Sequence, residues 1–566
     1  MNLVRHSEDK KIATSKEKTC QYPYMSNGMK WSKKCCVLIL AATIAAIALR
    51  LPLLEQRPMH GDEAVHADKF GELLEEGVYT YNPDEYHGPT LNYFTLIPAW
   101  LSRTYEFKDL SEFTLRIVPV FFGVCLVLLL LLMIDGLGRT AAVCAAVLTA
   151  ISPAMVFYSR YYIQEMLLVC FTFGAITCGY RYTRSKNITW ALLTGVFLGL
   201  AHATKETFII AFDSMLLALV LTLLLQSRRR NGSGGFIKVI RAVKPSHFIA
   251  VVAAAVVVSA LFYSSFLTNL NGIWDSVRTY ATYFSRASQN QLHIHPWYYY
   301  LKMLIYSGYG AGPIWSEALI VFLAVVGFIV AMTRKGLSGV DFHLLRFVGF
   351  YTLIMTVLYS VIRYKTPWCL LGFLHGMILL AGVGAVAIVR LAPNVLARAF
   401  ISLLLVAGGV HLTWQAYSGS YKFYADNRSP YVYAHPTTDV FTIAQRVEEI
   451  AEVDPNGREM IIHVICPGKD YWPLPWYLRS FPNVGYWTEV DNVTPPAAVI
   501  IASAKVQPAL MKKLSVFSPP TKRNPYVSLF DRYIELRPQI ELRGYVLWDR
   551  FQRQIQSIQP QTAGEK

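Results

Sequence analysis

The chain has 566 residues, of which 54% are apolar and only 16% charged, against roughly 25% charged in soluble domains; with its positive mean hydropathy this excludes a water-soluble globular protein and reads as an integral membrane protein. The net charge of +16 does not point to nucleic acid, because residues 417–566 hold 17 Lys and Arg against 15 Asp and Glu, and the excess therefore lies beside the apolar runs, where it sets membrane orientation. Of the nine cysteines, Cys35, Cys36, Cys125, Cys144, Cys170, Cys178 and Cys369 lie in or beside apolar runs and only Cys466 falls in the polar C-terminal part, so neither a disulfide nor a Cys-based metal site is expected.

Residues 1–34 are polar and rich in lysine, and they run directly into the apolar stretch from Cys35 to Leu54. With no small-residue cleavage site behind it, this stretch is a retained first span, and the lysines put the N-terminus in the cytoplasm. The following segment, Met59-His60-Gly61-Asp62-Glu63-Ala64, then faces outward. A carboxylate so close to hydrocarbon needs water, a cation or a hydroxyl partner, and Asp62 is taken as the centre of an active site; the alternative is a solvated loop acid. Two semi-apolar pieces follow, Asp62 to Glu76 and Pro89 to Trp100, each short of the ~20 residues that cross a bilayer. Both are expected as helices on the membrane surface.

Further apolar runs fall near 116–134, 140–158, 163–181, 188–204, 207–226, 248–267, 311–332, 345–362, 368–389 and 395–416, giving about eleven transmembrane helices in all. Loops assigned to the cytoplasm carry Arg181/Arg184/Lys186, Arg228 to Lys244, Arg334/Lys335 and Arg390/Arg398, as the positive-inside rule requires. An odd count leaves the C-terminal region outside. The polar clusters then share the outer side: Asp62-Glu63, Glu85-Tyr86-His87, Arg160 with Glu165, Lys205-Glu206, His293-Ile294-His295-Pro296 and Arg363-Tyr364-Lys365. Solvated turns would scatter over both faces, so a common side favours one outward-facing site. From residue 417 onward, β-prone runs (459–465, 497–503, 526–529, 545–548) alternate with a helical pattern at 438–453, as in a small α/β domain. Its aromatic strip, Asp470-Tyr471-Trp472-Pro473-Leu474-Pro475-Trp476-Tyr477-Leu478-Arg479, either stacks on a sugar or packs the domain onto the membrane half. The chain thus divides into a cytoplasmic basic tail (1–34), a transmembrane domain (35–416) and an extracytoplasmic α/β domain (417–566).

Acids and cations sharing a site at the outer surface suit a particular chemistry. A carboxylate can take the proton of a hydroxyl nucleophile, while Lys and Arg neutralise a phosphate. A phosphate at the lipid interface suggests a polyprenyl-phosphate carrier, and a sugar on that carrier is an activated donor once the leaving charge is stabilised.

The ordered motifs carry a resemblance. Gly61-Asp62-Glu63, then Tyr86-His-Gly-Pro-Thr-Leu-Asn-Tyr-Phe94, Arg160-Tyr-Tyr-Ile-Gln-Glu165, Thr204-Lys205-Glu206, His293-x-His-Pro-Trp-Tyr-Tyr-Tyr and Tyr364-Lys-Thr-Pro-Trp resemble the GT-C glycosyltransferases over roughly residues 35–416. These include the dolichyl-phosphate-mannose protein mannosyltransferases and the lipid A aminoarabinose transferase; the pattern is most similar to a prokaryotic subgroup of multi-span proteins labelled flippase-associated. The resemblance implies Asp62 as catalytic acid of the first outer loop, Glu63 as its partner, Glu165 as a second acid, and donor-phosphate contacts from Arg160, Lys205, Arg363 and Lys365. The plain alternatives are a helix-dipole role for Glu165 and a local ion pair for Lys205-Glu206. Some members bind a divalent ion through a first-loop Glu and a later His. The matching residues here are His87 or Glu85, with His293 and His295, whose alternative is ordinary hydrogen bonding.

The reading is a membrane-bound, inverting glycosyltransferase of the plasma (inner) membrane. It moves a sugar from a polyprenyl-phosphate donor to an extracytoplasmic acceptor that is protein, lipid or glycan. Two other classes stay open: a transporter or flippase component for lipid-linked sugars, against which the clustering of charges at span ends rather than at the midplane argues, and an assembly protein working through its outer domain.

Overall fold

A computed structural model of the chain describes residues 32–84, 87–229, 244–289, 293–334, 337–490, 497–517 and 526–558. The basic tail to residue 31, Arg230, Glu85, Tyr86 and Lys335 lie outside the described residues.

Each expected apolar run coincides with a helix. In chain order these are α1 (Lys33–Arg50), α2 (Gly61–Glu76), α3 (Thr90–Leu101), α4 (Glu112–Leu137), α5 (Arg139–Ile151), α6 (Pro153–Tyr158), α7 (Glu165–Ser185), α8 (Ile188–His202), α9 (Phe208–Arg229), α10 (Pro245–Tyr263), α11 (Asn271–Gln289), α12 (Tyr299–Ile305), α13 (Ala318–Thr333), α14 (Phe342–Val361), α15 (Leu371–Leu391) and α16 (Val395–Tyr417). By length and composition, six helices among the described residues can cross a membrane: α4, α9, α10, α14, and those spanning Pro367–Leu391 and Val395–Lys422. The other runs form helices that are shorter or carry charges at their ends, so the count of eleven is not fixed by helix length alone. One boundary differs clearly from expectation: the run at 311–332 becomes helical only at Ala318, because Trp315 pairs with Ser307 as an isolated bridge and Gly310 turns at φ 54°.

The two juxtamembrane pieces are the helices α2 and α3, but α2 does not lie open on a surface. Its apolar Ala64, Ala67, Phe70 and Leu73 are buried, and so are His66 and Lys69.

The C-terminal stretch builds a six-stranded sheet from β1 (Ile462–Ile465), β2 (Val484–Trp487), β3 (Val499–Ser503), β4 (Tyr526–Ser528), β5 (Ile534–Arg537) and β6 (Ile540–Leu547), in the order β2-β1-β3-β6-β4 with β5 also on β6. β1 pairs in parallel with β2 and β3, whereas β6 runs antiparallel to β3, β4 and β5. Both faces of the central strands are covered. Ile462, Val464, Val499 and Ile501 meet α17 (Asp439–Ala451) in one core, and Ile465, Ile500 and Ala502 meet Leu510 and Leu514 in another. This period-2 alternation between two apolar layers is what a sheet buried on both faces demands. β2 and β5 are only four residues long, too short for their pattern to stand out in sequence.

The aromatic strip divides in two. Trp476 is fully buried in the large helical core, donates from Nε1 to Glu112 (2.9 Å), and the Tyr477 hydroxyl accepts from Met59 N (2.8 Å). These residues pin the sheet region to the α2 end of the bundle. Tyr471 and Trp472 stay half-buried beside them.

Candidate active site

The site is assembled around the first turn of α2. His60 is the N-cap: its Nδ1 accepts from Asp62 N (3.0 Å), and Glu63 reaches back to His60 N (3.0 Å), a capping box built on histidine. Because Nδ1 accepts, the ring proton sits on Nε2, which donates to the Tyr433 carbonyl (3.1 Å). Burial accordingly keeps His60 below the usual histidine pKa, with Asp62 and Glu63 opposing. It is a neutral, fixed cap.

Adjacent helix residues point 100° apart, and the two acids have different fates. Glu63 is completely buried. Its Oε1 accepts from Arg57 Nη2 (2.9 Å), Arg116 Nε (2.9 Å) and Tyr162 N (2.8 Å), and its Oε2 from Arg116 Nη2 (2.9 Å). Burial alone would raise its pKa; Arg116 and Arg57 override that and bring it to about 2. Every lone pair with a direction is used, so Glu63 ties α2 to α4 and to the turn before α7, and it does not stand as a second reactive acid beside Asp62. Asp62 is the opposite case: its side chain is 53% exposed although protein crowds around it, the position of a group at the edge of a recess. Burial raises its pKa, but His60, His66, His87 and Lys205 together hold it below the ordinary aspartate value.

The other outer clusters converge on this turn. Gly88 lets the first loop touch the α8–α9 turn: a Cβ there would lie 2.3 Å from the Ala203 carbonyl. Thr90 N binds that same carbonyl (3.2 Å) and its hydroxyl binds Thr204 (2.8 Å). His87 is thereby set on Glu206 (Nδ1 to Oε2, 2.7 Å), whose pKa burial raises but His87 brings down overall. Lys205 turns the other way and pairs with Glu165; both are buried. His66, one turn after Asp62 on α2, is buried against Gln164 (3.3 Å) and held neutral, its pKa near 3 through burial and the neighbouring His87.

A second wall comes from the later loops. Residues 293–295 and 363–365 form a short antiparallel contact, with His295 N on Arg363 O (3.1 Å) and Lys365 N on His293 O (3.0 Å). His293 Nδ1 and His295 Nε2 share the Tyr433 hydroxyl, at 2.5 and 3.1 Å. Lys365 is buried, its Nζ held by the carbonyls of Ile362 and His295, with no carboxylate within ion-pair distance among the described residues, and burial lowers its pKa. With no such carboxylate partner, the Lys365 amine is left able to pair with an incoming anion. Arg363 is exposed beside it.

Arg160 departs from its expected role. Its guanidinium donates to the carbonyls of Arg50 (2.7 Å), Pro52 (2.7 Å) and Leu53 (2.9 Å) and lies 4.5 Å from the Tyr421 ring centre. It satisfies the carbonyls left open at the C-terminal end of α1 and complements that end of the helix dipole, so it is not presented to a phosphate. The expected metal set is not gathered either. His87 is spent on Glu206, His293 and His295 on Tyr433, Glu85 lies outside the described residues, and among the described residues no group of three His, Cys, Asp or Glu is placed to hold an ion. No step is therefore routed through a metal.

Sequence reasoning missed Arg57, Arg116, His66, Tyr433 and His435. Arg116 had a signal, a charge inside an apolar run. Tyr431, Tyr433 and His435 also had one, spaced by two as on one face of an extended chain. Below the site a narrow apolar groove, with only about 30 Å³ of open volume, runs between α7, α9, α14 and α15, with Glu165, Trp368 and Cys369 at one end and Phe173, Met355 and Tyr351 along its walls.

A family model for dolichyl-phosphate-mannose-protein mannosyltransferase matches residues 98–270, which contain Arg160, Glu165 and Lys205. No curated protein matches the chain in sequence. Among solved structures, ArnT from Cupriavidus metallidurans bound to undecaprenyl phosphate superposes with a TM-score of 0.58 at 15% identity, over 90% of this chain and 97% of that one. The oligosaccharyltransferase AglB from Archaeoglobus fulgidus, in complex with an inhibitory peptide and a dolichol-phosphate, gives 0.54 at 12% identity over 86% and 71%. An A. fulgidus oligosaccharyltransferase tethered to an acceptor peptide gives 0.51 at 12%, over 81% of this chain, which spans 64% of its length. The chain shares the fold of these glycosyl-transferring membrane enzymes, the GT-C fold expected from its motifs.

Proposed function

We propose that the chain is an inverting glycosyltransferase of the plasma (inner) membrane, taking a sugar from a polyprenyl-phosphate donor to an extracytoplasmic hydroxyl acceptor. The observation that carries this reading is the juxtaposition of one open carboxylate, Asp62, with buried lysines at the head of an apolar groove. The donor phosphate meets Lys205, Lys365 and Arg363, Lys205 exchanging part of its contact with Glu165. The acceptor oxygen attacks the anomeric carbon from the face opposite the phosphate, its proton passes to Asp62, and the bond between that carbon and the phosphate oxygen breaks to release the polyprenyl phosphate. The cations stabilise the charge that develops on the leaving group.

Eleven spans, with residues 1–34 in the cytoplasm, 35–416 as the transmembrane unit and 417–566 outside, complete the proposal. An impermeant thiol reagent applied to intact cells is expected to modify Lys108→Cys and Gln539→Cys, both at exposed positions, in a background without other reactive thiols. Protection of either would reverse the sidedness. Ser420 is buried and unsuited as a probe.

The transfer itself is tested with purified protein, a polyprenyl-phosphate sugar and an acceptor extract in detergent, where no translocation is needed. Free carrier phosphate is the expected product, and its absence would favour a flippase. Lys205→Ala and Lys365→Ala are each expected to lower the rate by about 10- to 100-fold, since a charge-assisted contact to a leaving phosphate is worth roughly 1.5–3 kcal/mol. Unchanged rates in both would remove these lysines from the phosphate site.

A further inference from the structure

On α2 the half-buried positions Gly61, Val65, Asp68 and Glu72 fall at i, i+4, i+7 and i+11 and so form one stripe, which leads away from Asp62 for about 15 Å along the helix. The C-terminal sheet stands over this stripe. A methyl group added at Gly61 would come 3.8 Å from Trp472 Cβ. Further along, the rings of Tyr471 and Tyr486 pack at 5.0 Å, and the Asp68 charge is felt at both phenols. Tyr486 belongs to β2, the outermost strand, all four residues of which are half-buried. At the same place Arg537, at the end of β5, holds Asp470 (3.0 Å), leaves its Nε without a partner, and acts electrostatically on His60. Ring faces, carboxylates and a guanidinium thus line one strip that begins at the open carboxylate.

Resting on the transferase reading, we infer that this strip is the acceptor subsite and that the acceptor is a saccharide, seated between Asp68 of α2 and the Tyr471, Trp472 and Tyr486 rings. Sugar C–H faces stack on aromatic rings, and sugar hydroxyls bridge carboxylates and guanidinium groups. A peptide would engage main-chain groups along the outer edge of β2, whereas what faces α2 here is side chain. The protein therefore extends or decorates a glycan, and its C-terminal sheet selects the acceptor.

Saturation-transfer NMR on the full chain in detergent, with mannotriose, maltotriose and chitotriose as probes and a serine-containing pentapeptide as the protein-type probe, tests this. At least one saccharide is expected to receive saturation. Its apparent affinity falls about 5- to 10-fold on Tyr486→Ala, the size of one lost aromatic contact, and is kept in Tyr486→Phe. Asp68→Asn, which leaves the rings in place, is expected to weaken binding as well and covers the case in which Tyr486→Ala does not fold. Silence across all three saccharides, binding indifferent to both substitutions, or a signal from the peptide alone would overturn the inference. Carrier-phosphate release without saccharide binding would sink this subsite and leave the transfer standing; saccharide binding without release would do the reverse.

Discussion

Asp62→Asn is expected to lower carrier-phosphate release by at least about 10²-fold, the low end of what a positioned proton acceptor contributes, while the protein inserts and melts as the wild type does. The stability half of this expectation follows from the geometry: the Asp62 side chain is 53% exposed, and the His60 ring, 3.9 Å away, is a neutral cap that forms no ion pair with it. Asparagine keeps the size and removes only the base. The pH dependence gives an independent check. A base works deprotonated, and since His60, His66, His87 and Lys205 hold Asp62 below the ordinary aspartate value against the effect of burial, release is lost only as pH falls through that lowered value. An acid limb near neutrality would instead name a histidine as the base, and a near-normal Asn variant would pass the role to Glu165.

How much of this was legible beforehand differs residue by residue. The helices under the apolar runs were legible because such runs leave the backbone no alternative to helix in hydrocarbon, whereas six of them, not eleven, are long and apolar enough to cross a membrane among the described residues. The His87-Gly88-Pro89-Thr90 segment was legible as a unit, and the structure gives the reason: Gly88 and Thr90 dock on Ala203 and Thr204, two motifs distant in sequence but in contact. What sequence does not carry is direction. Asp62 and Glu63 are both acids in the first turn of one helix, and only the positions of Arg57 and Arg116 decide that Glu63 turns inward. Arg160 looked like a phosphate ligand because its carbonyl partners belong to the end of α1, about a hundred residues earlier. Tyr433 was overlooked because its importance lies in two histidines from another loop and in the cap of α2. Of the aromatic strip, Trp476 packs into the helical core, as the packing reading expected, and Tyr471 stays half-buried beside it.

Glu63→Ala is expected to cost about 3–5 kcal/mol of stability, because it strands two buried guanidinium groups, those of Arg57 and Arg116, without a counter-charge. The pKa points to the same size. Glu63 falls from its ordinary 4.5 to about 2 in the folded protein, a shift worth on the order of 3 kcal/mol. A depressed carboxyl contributes stability that is fully present above its unfolded value and is lost as pH falls from about 4.5 through about 2. Acid titration followed by tryptophan fluorescence should therefore show the wild type losing stability across that window. In Glu63→Gln, where nothing titrates at this position, the loss across the window is smaller and the starting stability is already lower. This separates the two acids of the motif. Asp62→Asn folds and does not react; Glu63→Gln reacts in proportion to the fraction that folds. If Glu63→Gln instead melted like the wild type and still failed to release carrier phosphate, Glu63 would belong to the chemistry and the division of labour between these neighbours would be wrong.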